Sequence, residues 1–348
     1  MKNYFTRLGN GFSIEMTEKE IMTDLVAGSQ DAADRGKIPP LSEDELKYLL
    51  DIFCSPYKFV SVEPGNEVVL SYDAGTLKIR RVGVNTDRIH ALQIYEKLLG
   101  ADTLELAHVD YSFKPVKPIV SYEQTVLEQA LMDTHAPLFY GAMPNLGLYS
   151  QPDGPYPNPF ELIPLGKVKE AQQSYESAVQ AAVKDIVFVS SAMIESGADG
   201  INLDTVGAAG DADFLASLQA AQILKEKYPD ICIEMGMAGE FILGLHGELE
   251  YDGEQLAGMY AHDQVRMAEK AGVTIYGPVV NIKPSRSVPW NLSRAIAFTK
   301  ACCEVANIPI HANMGMGVGG VPMTNHPPID TTSRASKAMV EICRLDGL

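Results

Sequence analysis

Tryptophan is nearly absent from this sequence: Trp290 stands alone in 348 residues. Cysteine is sparse as well. The five present (Cys54, Cys232, Cys302, Cys303 and Cys343) are odd in number and none sits in a C-x-x-C pair, which argues against a disulfide framework and a thiolate zinc site. No metal ligands are assigned. Positive charge is in short supply, with 28 Lys and Arg against 45 Asp and Glu. The resulting net charge of −17 opposes nucleic acid and anionic lipid surfaces and favours small cations. No apolar run approaches the ~18 residues of a membrane span. The opening MKNYFTRLGNGFSIEMTEKE is too polar for a signal peptide, so no membrane segment is expected and the cytoplasm is the expected compartment.

What is present is ample material for a core. With 46% hydrophobic residues, the chain can fold as one large domain or two ordinary ones. Over residues 1–85 the pattern is mixed. A capped helix is predicted near 42–53, and alternating apolar residues follow in KFVSVEP, EVVLSYDAG and TLKIRRVGV, split by Pro-Gly-Asn and Asp-Ala-Gly turn signals. This reads as an N-terminal helical arm and a small antiparallel β-meander. From about Thr86 the rhythm changes to strand, loop, helix. Strands are predicted at TLELAHVD, APLFYGAM, GINLDT, ICIEMGM, VTIYGPVVN and IPIHANMG, and helices near 122–134, 166–196, 211–227, 253–271, 291–306 and 330–344. Short turns into the strands and longer, residue-rich loops after them favour a (β/α)8 barrel of TIM type over residues 86–348. At ~30 residues per strand-helix unit, about six of the eight units are accounted for, so the barrel is expected to be incomplete at its C-terminal end.

The final residues sharpen that count. SGADGINLDT enters its strand through Asp199, Gly200 and Ile201, and CRLDGL repeats the approach with Asp346, Gly347 and Leu348. The position after Leu348 then corresponds to Asn202, which shares with Asp204 the phase that a barrel turns inward. The expectation is a chain that stops just before an inward-facing residue of a seventh strand. Unpaired edges at the first and sixth strands would favour a homo-oligomer, or leave a gap where the remaining units belong.

Several long stretches are distinctive: IPPLSEDEL, GADTLELAHVDYSFKPVKPIVS, PLFYGAMPNLGLY, PDGPYPNP, SGADGINLDTVGAAGDADF, EMGMAGEFILGLHGELEYDG, GPVVN, PWNLSRA, HANMGMGVGGVPM and PPIDTTSRASKAMVEI. Through them, and over essentially its whole length, the sequence resembles the pyrrolysine-containing dimethylamine methyltransferases of methanogenic archaea and some anaerobic bacteria. The resemblance implies transfer of a methyl group from dimethylamine to the cobalt of a corrinoid carried by a cognate corrinoid protein, with release of monomethylamine, in methanogenesis or other anaerobic methylamine use. It implies no cofactor bound by this chain itself. It also implies a pyrrolysine, encoded by UAG, directly after the segment matching Asp-Gly-Leu, and hence a fragment without its key residue that is expected to be inactive. The chemistry accounts for such a residue. An amine is a poor leaving group and the usual side chains offer no good electrophile, whereas an imine ring adds the amine at carbon and presents its methyl group to the cobalt nucleophile.

Supporting residues are sought at strand ends, because barrel enzymes act at their C-terminal face. Placement on strands gives Glu234, Asp204, His311 and Asn313 as catalytic candidates, with Asp110, Tyr140, Glu240 and Asn281 behind them as substrate-binding ones. Each has a structural alternative: a loop cap for Asp204, a buried ion pair for Glu234, a hydrogen-bonded core histidine for His311, and ordinary packing for Tyr140 and Asn281. GMGVGG, residues 315–320, fits the dinucleotide pattern G-x-G-x-x-G. Pro322, Pro327 and Pro328 postpone the next helix to about Asp330, however, and the strand is a late one. Gly315, Gly317 and Gly320 are therefore read as letting a loop pass close to substrate or corrinoid. The alternative function is a finished chain: a barrel-type lyase, or a non-catalytic scaffold that binds a corrinoid protein.

Overall fold

A computed structural model of the chain describes residues 2–73, 105–108, 138–142, 146–244 and 247–348. It falls into two compact units, Met1–Leu138 with Pro278–Leu348, and Phe139–Gly277. The 85/86 boundary, the predicted strand at 76–84 and the predicted helix at 122–134 lie outside the described residues.

The first unit opens with a hairpin. Strands β1 (Asn3–Arg7) and β2 (Ser13–Thr17) pair antiparallel around a Gly-Asn-Gly turn, with Gly11 at φ 91. Helix α1 (Glu18–Gly36) starts at once, because Thr17 and Glu20 cap each other's N–H groups. Ser42 and Glu45 do the same for α2 (Glu43–Cys54), the capped helix expected near 42–53. Strand β3 (Leu70–Asp73) then pairs in parallel with β4 (Glu105–His108), Leu70 opposite Glu105. This corrects the meander: residues 58–68 form no strand, and 70–73 make a parallel pair. Such a pair needs a connection of roughly a dozen residues or more, so its partner is distant in sequence, and the local turn signals carried no information about it.

The second unit alternates strand and helix. Strand β5 (Leu138–Gly141) is followed by the short α3 (Pro159–Leu162), α4 (Val168–Glu195), β6 (Gly200–Val206), α5 (Asp211–Lys227), β7 (Cys232–Met237), a small hairpin of β8 (Glu250–Tyr251) and β9 (Glu254–Gln255), α6 (Ala261–Lys270) and β10 (Ile275–Gly277). Strand β6 lies between β5 and β7, β10 lies on the other side of β7, and every pair is parallel. Helix α4 is long and apolar enough to cross a membrane by composition. Its buried stripe of Ala171, Tyr175, Ala178, Ala182 and Ile186 recurs at helical spacing opposite a polar face, as in an amphipathic core helix. One predicted helix is corrected here: residues 253–260 are not helical. Asp252 and Gly253 both have positive φ, 52 and 74, and close the β8–β9 hairpin, so the helix begins only at Ala261.

The chain then returns to the first unit with α7 (Val288–Val305) and α8 (Ile329–Ala338), which runs on into a π-helical turn, Met339–Cys343. Helices α1 and α7 cross in backbone contact at Gly28, where a Cβ would stand 2.1 Å from the Trp290 carbonyl oxygen. Asp31 of α1 ties the crossing by accepting from Arg294 Nε at 2.7 Å. The strand expected at IPIHANMG reduces to a parallel bridge between His311 and Gly347, and Gly347 also bridges Val69. The closing Asp-Gly-Leu is thus paired on both sides: Ala312 N–H donates to the Gly347 carbonyl at 3.1 Å and Leu348 N–H to that of Val69 at 2.9 Å. The described chain is a mixed α/β protein with a parallel sheet, and its described strands do not make up a complete barrel.

Candidate functional site: an acidic face on strands β6 and β7

Strands β6, β7 and β10 have two different faces. Ile201, Leu203, Ile233, Met235 and Tyr276 are fully buried on the helix side, where the Tyr276 hydroxyl donates to Gln264 Oε1 of α6 at 3.1 Å. The other face is polar. Asn202 sits directly across from Glu234 in the β6–β7 register, and both are buried, 5% and 3% exposed. Two residues further along, Asp204 lies over Gly236: a Cβ on Gly236 would be 3.1 Å from Asp204 Oδ1 and 3.9 Å from Asn202 Oδ1. Glycine at this position leaves room for a carboxyl group and a carboxamide to crowd onto β7. Two carboxyls and an amide therefore share one face with little access to water, an arrangement suited to an organic cation.

The backbone of β6 is deformed to aim Asp204. Its register with β7 shifts between Leu203 and Val206, and Thr205 takes φ 56, a left-handed conformation that a β-branched residue adopts only under strain. Asp204 Oδ1 accepts the Thr205 N–H at 2.7 Å. Asp204 thus caps its own turn, as its structural alternative has it, while facing the same side as Glu234.

The remaining candidates disperse. Backbone register pairs Tyr140 with Ile201. Glu240, half-buried, lies on the loop after β7, where its carbonyl accepts from Gln264 Nε2 at 3.2 Å. Asp110 lies outside the described residues. In the other unit His311 is 6% exposed and rests on Gly347, where a Cβ would come within 3.0 Å of the ring. Asn313 is exposed two residues on. Asn281 is exposed too, its backbone bridged to Val318 and its carbonyl accepting from Arg294 Nη1 at 3.3 Å.

The glycine loop has local reasons for its composition. Gly317 gives its carbonyl to Ile282 N–H at 2.8 Å, and a Cβ on Gly320 would stand 2.7 Å from Cα of Leu292 in α7. Gly315 bridges Val318, and the next helix starts only at Ile329, so the loop does not lead straight into a helix as a dinucleotide loop does.

A sequence profile of the dimethylamine methyltransferase family matches residues 2–348. The chain belongs to the dimethylamine methyltransferase family. Methyl transfer is therefore its function in general terms, and the match extends over both units. Two solved structures show distant likeness to this chain. A protein assigned as a phosphonomutase from Burkholderia cenocepacia J2315 is 13% identical over 71% of this chain and 77% of its own, with a TM-score of 0.31. The YdjI aldolase from Escherichia coli K12 is 10% identical over 80% of this chain and 89% of its own, also at 0.31. At that level neither carries an argument.

One residue of the methyltransferase chain escapes sequence reasoning. Asp213, in the first turn of α5, is 1% exposed. Burial pushes its carboxyl up to about 6, and the N–H groups of Ala209, Gly207 and Ala208 pull it partly back. An acidic residue at a helix start is ordinary dipole chemistry, so nothing in GAAGDADF distinguishes it from an exposed aspartate.

Proposed function

We propose that the chain acts on dimethylamine, in cytoplasmic methylamine metabolism of the methanogenic or anaerobic kind, and delivers the methyl group to corrinoid cobalt on a cognate corrinoid protein. The framework we infer is a TIM-type (β/α)8 barrel, supported by the strand-helix alternation and parallel register of Phe139–Gly277. The observation that carries the substrate reading is the acidic face: Asp204 over Gly236, beside buried Glu234 and Asn202.

In this reading dimethylamine arrives as its ammonium cation. Glu234 and Asp204 supply the opposite charge in a site shielded from water, where such a contact outweighs its equivalent in solution. One of the carboxyls takes the ammonium proton, leaving the nitrogen lone pair available for attack, and Asn202 orients the amine by hydrogen bonding. The partner in that attack is an electrophilic carbon. Family resemblance assigns it to a pyrrolysine imine, and no side chain among these 348 residues offers an equivalent.

The test separates binding from turnover. Incubated with dimethylamine, the cognate corrinoid protein and a reductant, the 348-residue polypeptide is expected to release no monomethylamine, while titration calorimetry detects dimethylammonium binding that wanes as salt rises. Turnover would overturn the assignment of the electrophile. Failure to bind the amine would overturn the acidic face as its site and favour the scaffold alternative.

A further inference from the structure

The loop after β6 is held from beneath by a carboxyl group that takes no part in the acidic face. Asp213 Oδ2 accepts the Ala209 N–H at 3.4 Å, and the backbone N–H groups of Gly207 and Ala208 favour its charged form as well, although that of Ala208 donates to the Thr205 carbonyl at 3.2 Å. Its other oxygen, Oδ1, is buried with no hydrogen-bond partner. So complete a burial is costly for a carboxyl, and serving the helix dipole does not require it, since an exposed aspartate does that equally well. What the burial achieves is placement under a bent segment. Three positions above Asp213 are left-handed: Thr205 at φ 56, Gly207 at φ 81 and Gly210 at φ 87. Asp204 is the residue on which this bend begins.

We infer that Asp213 is a positioning residue: buried beneath the bend and accepting the Ala209 N–H, it holds the strained turn at Thr205 and so keeps the Asp204 carboxyl over Gly236. The inference rests on the amine-binding reading of Asp204 given above. The described titratable groups around Asp213 are few. On its own helix, the neighbouring acid Asp211 is directed elsewhere, with Oδ1 accepting the Ala212 N–H at 3.0 Å and Oδ2 lying against Gly244. From α4, Tyr175 is pushed up to about 12 by burial and by Asp211. From the β6 turn, the charged group is Asp204 itself. Burial raises the Asp213 pKa, and the loop N–H groups lower it in part.

The experiment follows the backbone amides of residues 205–210 by NMR through a pH titration, and dimethylammonium chloride binding by calorimetry, in wild type, Asp213→Asn and Asp213→Ala. In wild type the Ala209 amide is expected to titrate with a midpoint near 6, and in Asp213→Asn that step disappears. In Asp213→Ala, amide exchange at 207–209 is expected to rise ~10-fold and dimethylammonium affinity to fall ~10-fold, with Asp213→Asn recovering part of both because it keeps an acceptor oxygen. Wild-type exchange and affinity in Asp213→Ala would overturn the inference. If wild type binds no dimethylammonium, the amine reading falls by itself. The Ala209 titration then decides the anchor alone, and a flat curve overturns it.

Discussion

Glu234→Gln is expected to weaken dimethylammonium binding between ~30-fold and ~1000-fold, because losing the charged partner of a desolvated cation costs about 2–4 kcal/mol. The substitution keeps the shape of the side chain and changes only its charge. At 3% exposure, water cannot replace what is lost. Neutralising a buried carboxyl also removes its desolvation cost, so the fold is not expected to lose stability by more than about 1 kcal/mol. Calorimetric titration with dimethylammonium chloride, paired with urea unfolding, separates the two effects. An unchanged affinity in a folded variant would remove Glu234 from the site.

The second large effect concerns the frame. Gly28→Ala is expected to destabilise the first unit by about 3 kcal/mol or more, although alanine favours an isolated helix over glycine by about 1 kcal/mol. The added Cβ would stand 2.1 Å from the Trp290 carbonyl oxygen, and that neighbour is backbone of a fully packed helix with no rotamer to escape into. Helices α1 and α7 must separate, which stretches the Asp31–Arg294 contact of 2.7 Å. Because Gly320 rests on Leu292 of α7, the glycine loop is expected to shift with them. Urea midpoints for Gly28→Ala and Gly28→Ser read the effect. A wild-type midpoint for either would mean that the crossing is looser than its geometry.

Period-two alternation made the acidic face legible before any coordinates. GINLDT and ICIEMGM are short, β-branched runs between turn signals, and the alternation puts Asn202 with Asp204, and Glu234 with Gly236, on one side of each strand. The same alternation is silent on partners. A displacement of one residue changes the face of every side chain, and register is settled by the neighbouring strand, which a single sequence does not reveal. Partner choice also hid the parallel β3–β4 pair behind local turn signals. Two hairpins were written more openly than they were read: Asn-Gly between NYFTR and SIEMT, and Asp252-Gly253 within a stretch taken for helix. Asp213 belongs to a different category. Its identity is plain in the sequence, but its role depends on burial, which tertiary packing alone determines.

That burial ties proton uptake to folding. A carboxyl lifted from the usual value near 4 to about 6 is more readily protonated in the folded chain than in the unfolded one. Its contribution to stability is therefore greatest below pH 4, declines as pH climbs through the interval between the two values, and stays low above 6. The decline is on the order of 3 kcal/mol for a displacement of about two pH units. In neutral surroundings the molecule keeps Asp213 ionised at the expense of its own robustness, while mild acid relieves that cost and slackens the turn that presents Asp204.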